Sequence, residues 1–244
     1  MQIETIALRL RMRGPMEAAD LGVRLCQDAR RSVYSCYLFV AIPVTAFCLG
    51  SFEIAPWLPM LLLWWLKPWL DRSVLFALSR AAFGQHSSWR DLLSERRQVL
   101  SKQLLSSLTI RRFSPWRSLT QPVYQLEGLS GLALRRRIKQ VRVGKTGNAI
   151  LMTSAFSFVE LSFGVALFSL MFLFAPRGLG PTFFGLLTNE DVNQSVVLLT
   201  SIAYALTILF LEPFYVAAGF GMYLSRRVEL EAWDIEQELR RAFA

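Results

Sequence analysis

Residues 148–175, NAILMTSAFSFVELSFGVALFSLMFLFA, contain a single charged side chain, Glu160. Residues 196–224, VVLLTSIAYALTILFLEPFYVAAGFGMYL, also contain only one, Glu212. A helix needs about 20 residues to cross the hydrocarbon core of a bilayer, which is roughly 30 Å thick. Both stretches are longer than that, so they predict two transmembrane helices that tilt, kink or extend into water.

Two more apolar stretches lie nearer the N-terminus. Residues 33–50, VYSCYLFVAIPVTAFCLG, contain no charged side chain. Residues 52–70, FEIAPWLPMLLLWWLKPWL, form a weaker candidate, because their uninterrupted apolar part, 54–66, is short for a span. Lys67 and the tryptophans around it are typical of the membrane interface, where a lysine amine extends toward water. The four stretches together predict an all-α fold, a polytopic membrane helical bundle with about four transmembrane helices and additional amphipathic cytoplasmic helices.

The 27 lysine and arginine residues give this bundle an orientation. Six arginines lie in residues 1–32 and most other basic residues lie in 71–147, whereas 176–195 contains Arg177 alone. Because loops rich in lysine and arginine stay in the cytoplasm, both termini are predicted to be cytoplasmic. The predicted regions are a cytoplasmic segment at 1–32, a transmembrane hairpin at 33–70, a basic cytoplasmic or interfacial helical region at 71–147, transmembrane helices three and four at 148–224 with an outer loop at 176–195, and a cytoplasmic amphipathic helix at 225–244.

The basic region at 71–147 also contains helical patterns. Residues 73–83, SVLFALSRAAF, predict a short amphipathic helix on the membrane surface. Residues 88–91, SWRD, form a capping-box signature, and regularly spaced leucines extend this helix to about position 109. Prolines and glycines, among them Pro122, predict a break in helical structure after that point. A basic helix is predicted at about 132–143, directly before the third span.

The C-terminal tail continues the last helix. Val228, Ile235 and Leu239 recur at helical spacing and form an apolar stripe. Arg227 and Glu231 form an i,i+4 pair on the face of the helix that is exposed to water. An apolar stripe of this kind predicts packing on other helices, on a partner or on the membrane surface. The candidates for contact with a partner helix are Val228, Trp233, Ile235 and Leu239.

The two carboxylates in the apolar stretches are the candidates for function. Carboxylates inside a bilayer are costly and face the bundle interior or a wet cavity. Glu160 and Glu212 therefore predict either a proton or substrate path, or hydrogen-bonded packing between helices, and the sequence leaves both interpretations open. No lysine or arginine is expected at their depth, so a shared proton, a hydroxyl group or a second subunit would satisfy them. Pro213 removes a backbone donor directly after Glu212 and predicts a kink.

Residues 111–118, RRFSPWRS, mix arginines with aromatic side chains. Basic residues attract anionic headgroups, and aromatic rings settle at the membrane interface. Arg111, Arg112, Trp116 and Arg117 are therefore candidates for contact with anionic lipid, and an ordinary cytoplasmic loop is the alternative. The net charge of +9 has the same membrane explanation, so no nucleic-acid partner is predicted.

The sequence offers no motif for catalysis or metal binding. It lacks GxxxxGKS/T, HExxH and GxSxG, and its single histidine, His86, excludes most histidine-dependent sites. Its three cysteines, Cys26, Cys36 and Cys48, form no CxxC pair. We therefore expect no enzyme activity, no cofactor and no metal site.

Three segments carry a family resemblance: 63–84, LWWLKPWLDRSVLFALSRAAFG; 108–129, LTIRRFSPWRSLTQPVYQLEGL; and 212–241, EPFYVAAGFGMYLSRRVELEAWDIEQELRR. They resemble a family of uncharacterised bacterial inner-membrane proteins, and the last segment is similar to the end of the membrane domain of some glycerophosphodiester phosphodiesterases. The resemblance implies an inner-membrane location, which would make the outer loop periplasmic. Because relatives tend to be encoded beside AAA+ ATPases and von Willebrand factor A-type proteins, it also implies a complex with such partners. The phosphodiesterase catalytic domain has no counterpart in the sequence, so no catalytic role carries over.

Two functional hypotheses follow from these patterns. The favoured one is a non-enzymatic membrane subunit that scaffolds or anchors a multiprotein complex. The alternative is a transport or lipid-handling subunit in which Glu160 and Glu212 line a path. A solvent-lined cavity that reaches both glutamates would favour transport, and a dry interface between them would favour a scaffold.

Overall fold

The computed structural model describes residues 14–101, 108–109, 112–173 and 190–231. Every regular element in these ranges is helical, which confirms the all-α fold class. The α-helices are α1 (Pro15–Asp28), α2 (Arg30–Gly50), α3 (Leu58–Ala81), α4 (Trp89–Ser94), α5 (Arg117–Leu126), α6 (Gly131–Arg142), α7 (Thr146–Leu173) and α8 (Glu190–Glu231). A 3-10 turn at Ser51–Glu53 and a π-helical turn at Arg97–Ser101 complete the regular structure of these ranges.

Three stretches of helix in the described ranges are long and apolar enough to cross a membrane. They are Arg30–Glu53, which covers α2 and the 3-10 turn, Thr146–Leu170 in α7 and Gln194–Glu231 in α8. The first, third and fourth predicted spans fall on these stretches. The helices therefore confirm a membrane-type helical bundle.

The predicted second span, 52–70, falls on α3, which is not one of these three stretches. The reason lies in its charges, because Lys67, Asp71 and Arg72 follow one another within two helical turns. α3 also passes without interruption through Pro68. It therefore combines the end of an apolar stretch with a charged middle section.

The prediction of a separate surface helix at 73–83 is wrong. These residues continue α3, and residues 73–78 are all buried. α2, α8 and the π-helical turn pack around this part of α3, so that even Ser73 is enclosed. Residues 73–78 therefore lie inside the bundle and not on the membrane surface, where we expected them.

The sequence predictions for the shorter helices α4 and α6 agree with the structure, whereas the one for α5 does not. The capping box of α4 is confirmed, because the Ser88 backbone N–H donates to Asp91 Oδ2 at 2.8 Å. The basic helix predicted at 132–143 is confirmed as α6. The break expected around Pro122 is absent, since α5 runs through this residue. Leu119 and Val123 are fully buried in α5, and their packing offsets the backbone hydrogen bond that proline cannot make.

α1 and α8 cross at unusually short range. α8 has 42 residues, which corresponds to a length of about 63 Å. A Cβ atom built on Gly221 of α8 would lie 2.8 Å from the backbone nitrogen of Gly22 in α1, and one built on Gly22 would lie 2.7 Å from the carbonyl carbon of Ala217. Only glycine at both positions allows the two backbones to approach this closely.

We predict that Gly22→Leu separates α1 from α8 and destabilises the protein. Overpacking of a tight contact costs about 1–3 kcal/mol, and here the obstacle is backbone that cannot move aside. The expected result is a clearly lower midpoint of thermal unfolding in mild detergent. Gly147→Leu is the matched control, because a Cβ atom at Gly147 meets open space. Equal unfolding midpoints for the two variants would contradict the close crossing.

Candidate functional site

A cluster of five charged side chains joins four helices in the interior. Lys67 and Asp71 lie one turn apart on α3, Arg117 begins α5, Glu160 lies on α7 and Glu212 lies on α8. The Lys67 Nζ atom is 2.7 Å from Glu160 Oε2 and 2.9 Å from Glu212 Oε2. The Arg117 Nη2 atom is 3.0 Å from Glu212 Oε1 and 3.1 Å from Asp71 Oδ2. Each oxygen of Glu212 therefore contacts a different cation.

The expectation that the two glutamates lack a basic partner is wrong. Lys67 was placed at the membrane interface with its amine toward water, but its side chain points inward and binds both glutamates. Arg117, a candidate for lipid contact, lies beside Glu212 and Asp71 inside the protein. One signal in the sequence indicated this arrangement: Lys67 and Asp71 are four residues apart, so they share one face of a helix.

The members of the cluster differ in burial. The side chain of Asp71 is 0% exposed and that of Glu212 is 4% exposed, whereas Glu160 is 22% exposed. Burial lowers the pKa of Arg117, but the neighbouring carboxylates, with Asp71 first, raise it more, so the net pKa lies above its usual range and the guanidinium stays charged. Buried charges require such compensation, because an unpaired charge in the interior is very costly. Glu160 is the member of the cluster that a ligand could reach.

A cavity of about 620 Å³ lies between α3, α7, α8 and the loop before α5. Lys67, Arg117, Glu160 and Glu212 form part of its wall. The volume falls within the range of roughly 300–1,000 Å³ that is typical of small-molecule sites. The apolar part of the wall is formed by Met60, Trp64, Phe113, Phe156, Leu161, Val165 and Phe168.

The exposed part of the cavity wall lies on α3, on α7 and on the loop before α5. Leu161 and Val165 of α7 line it and are 67% and 57% exposed, and Phe113 on the opposite side is 68% exposed. α7 packs chiefly along α8, and only 6% of its apolar stretch is buried. The outer wall of the cavity is therefore a single helix with most of its surface free.

Side-chain contacts of the first half of α7 hold it against the bundle on the cavity side. Besides the Lys67–Glu160 pair, the Thr153 hydroxyl donates to the carbonyl of Pro115 at 2.7 Å. The Phe156 ring meets the Tyr215 ring edge-on at a centroid distance of 5.6 Å. These contacts lie between positions 153 and 160 of α7, whereas Leu173 at the end of the helix is exposed.

Pro213 lies inside α8 and does not end it. Two tyrosines of α2 bind α8 on the turn before the proline. The Tyr37 hydroxyl donates to the carbonyl of Ile208 at 3.1 Å, and the Tyr34 hydroxyl donates to the carbonyl of Phe210 at 2.8 Å. Side chains of α2 therefore support α8 where proline removes a backbone donor.

The other lipid-contact candidates lie around the cavity mouth or outside the described ranges. The Arg112 guanidinium donates to the carbonyl of Trp64 and lies 3.8 Å from the centroid of that indole ring. The Arg142 guanidinium carbon lies 3.6 Å from the centroid of the Trp116 ring. Arg111 lies outside the residues that the structure describes, and its contact with lipid stays a prediction.

The end of α8 is tied to α6 and the turns around it. Val228 is buried, and the predicted Arg227–Glu231 pair is confirmed at 2.7 Å. The Lys145 amine lies 2.7 Å from the carboxylate of Glu229. Trp233, Ile235 and Leu239 lie outside the described residues, so their docking to a partner stays a prediction.

We predict that the same substitution lowers stability much more at Glu212 than at Glu160. Glu212→Gln removes a charge that two buried cations share, which should cost about 3–5 kcal/mol of stability. Glu160→Gln should cost clearly less stability, because Glu160 is partly exposed and Lys67 keeps its ion pair with Glu212. Thermal unfolding of both variants in the same detergent measures the difference, and each variant is the control for the other. A Glu160 variant as unstable as the Glu212 variant would contradict this assignment of burial and pairing.

The chemistry of this site comes from its own geometry. The segments 63–84, 108–129 and 212–241 that carry the family resemblance contain four of the five charged cluster members, and Glu160 lies outside them. The resemblance itself stays a prediction. No protein-family model, no curated protein and no solved structure matches this chain.

Proposed function

We propose that the chain is a transport or lipid-handling membrane subunit that binds an amphipathic ligand in the cavity between α3, α7 and α8. The observation that carries this proposal is that one cavity reaches both Glu160 and Glu212. Such a cavity is the feature that distinguishes the transport hypothesis from a dry packing interface.

The wall of the cavity has two chemically different parts. Its inner end is charged, with Lys67, Arg117 and the two glutamates. Its side along α7 is apolar, with Leu161, Val165 and other hydrophobic side chains. A ligand with a polar head and an apolar tail complements both parts, because the tail loses contact with water and the head finds hydrogen-bonding partners.

The exposed part of the cavity wall supports entry from a bilayer. α7 contains one of the stretches long and apolar enough to span a membrane, and exposed residues of this helix, Leu161 and Val165, line the cavity. An amphiphile that enters from the bilayer would place its tail along α7 and its head at the charged part of the wall. Glu160 is the exposed end of the cluster, so a ligand can reach this part of the wall while the pairs of Glu212 stay buried.

The scaffold function is a second proposal, supported by the outer face of α7. Phe158, Val159, Leu170 and Leu173 are exposed there, and they would contact either lipid or another membrane subunit. AAA+ ATPase and von Willebrand factor A-type partners belong to this proposal through the family resemblance. The asymmetry of basic residues supports a cytoplasmic position for both termini, and the family resemblance implies a bacterial inner-membrane location.

We expect that filling the cavity displaces its ligand. Gly164 lines the cavity on α7, and a Cβ atom there meets only the Thr207 hydroxyl, at 3.7 Å. Gly164→Phe should therefore fold and project a ring into the cavity. Native mass spectrometry of protein released from bacterial-lipid nanodiscs should show bound lipid on the unmodified chain and much less on this variant.

Ala166→Phe is the matched control for this experiment. Ala166 lies two residues further along α7, is exposed and does not line the cavity, so its substitution should leave bound lipid unchanged. Equal lipid retention by two well-folded phenylalanine variants would exclude the cavity as the binding site.

A further inference from the structure

We propose that the cavity holds an oxyanion at Arg112 and Ser114, so that its ligand is an anionic amphiphile with a phosphate or carboxylate head. This inference rests on the proposed function and names the ligand class for the same cavity. It goes further than a general attraction of basic residues to headgroups, because it assigns the anion to two side chains with unfilled hydrogen-bonding capacity.

Arg112 differs from the other cations of the cavity wall. Lys67 and Arg117 are both held by carboxylates, whereas Arg112 forms no ion pair within the described ranges. Its guanidinium lies against the Trp64 ring and donates to the Trp64 carbonyl. Its Nε atom has no hydrogen-bond partner in the part of the chain that the structure describes, although the residue is only 8% exposed.

Ser114 adds a second unfilled group to the same wall. It lies two residues after Arg112 and also lines the cavity. Its Oγ atom is buried and has no partner among the described residues. A guanidinium with a free N–H and a hydroxyl group are donors that match a phosphate or carboxylate, and charge-assisted hydrogen bonds of this kind are strong.

Among the cations of the cavity wall, Arg112 is the one that lacks a carboxylate partner in the described ranges. Lys67 pairs with Glu160 and Glu212, and Arg117 pairs with Glu212 and Asp71. Burial lowers the pKa of Arg112 below its usual range, and a bound anion would oppose this effect.

The aromatic side chains around Arg112 favour an amphiphile over a free oxyanion. The Phe113 ring lies 6.1 Å from the Trp64 ring and 6.3 Å from the Trp65 ring, as measured between centroids. Such aromatic clusters are typical of the headgroup level of a membrane. An oxyanion at Arg112 would thus sit at the rim, with its apolar chain directed along α7.

The test compares lipids that differ in head group. The purified chain in detergent is titrated with phosphatidylglycerol, with diacylglycerol, which lacks an oxyanion, and, separately, with inorganic phosphate, and the bound species are counted by native mass spectrometry. We expect a preference of about tenfold for phosphatidylglycerol over diacylglycerol, because only the phosphodiester can accept charge-assisted hydrogen bonds. Inorganic phosphate should neither bind measurably nor displace phosphatidylglycerol.

Two variants then locate the anion. Arg112→Gln should reduce the preference to about twofold or less without weakening the binding of diacylglycerol, since only the charge-assisted contacts are lost. Ser114→Ala removes a single oxygen atom and should leave the fold intact. It should weaken the binding of phosphatidylglycerol alone. Arg135→Gln is the control, because Arg135 is exposed and does not line the cavity, and it should keep the full preference.

The outcomes separate the two proposals. Equal affinity for both lipids, or a preference that survives in both the Arg112 and Ser114 variants, would overturn the oxyanion site and leave the lipid cavity intact. If inorganic phosphate binds tightly and excludes phosphatidylglycerol, the ligand is a free oxyanion and not an amphiphile. Absence of any bound lipid, or lipid binding that Gly164→Phe does not affect, would overturn the proposed function itself.

Discussion

Glu212 lies deep in the bundle on the longest described helix, and two cations from two other helices hold its two carboxylate oxygens. A carboxylate in these surroundings is tolerated only where charges and hydrogen bonds compensate it. The positions of α3 and α5 follow from this requirement, because α3 must direct Lys67 inward and the loop before α5 must bring Arg117 into the interior. α7 reaches the same cluster through Glu160 alone, and the space left beside that contact is the cavity.

The sequence predicted the helical membrane class and the position of Glu160 and Glu212 within long apolar helices, because both depend on local composition. It did not predict their partners. Lys67 and Glu160 are 93 residues apart in the chain, and Arg117 and Glu212 are 95 residues apart. Hydropathy and the distribution of basic residues assign a cation to the water side of a membrane, and they contain no information on a carboxylate that another helix supplies.

The same limit explains the two incorrect predictions for the central region. The pattern of residues 73–83 is amphipathic, and a surface position is the simplest outcome for an isolated helix. In the folded chain, α2 and α8 enclose this part of α3, so burial is set by helices distant in sequence. In α5, packing likewise outweighs the local effect of Pro122, since the residues on both sides of the proline are buried against the core.

The close crossing of Gly22 and Gly221 has a consequence for the order in which the chain can fold. The two residues belong to α1 and α8, so the first described helix completes its packing only after the last one has been synthesised. At about 5–20 residues per second, the intervening segment of about 200 residues takes roughly 10–40 s to make. During that interval the surface of α1 that will face α8 has no partner. The α1–α8 crossing therefore belongs to the last contacts that this chain can form during its synthesis.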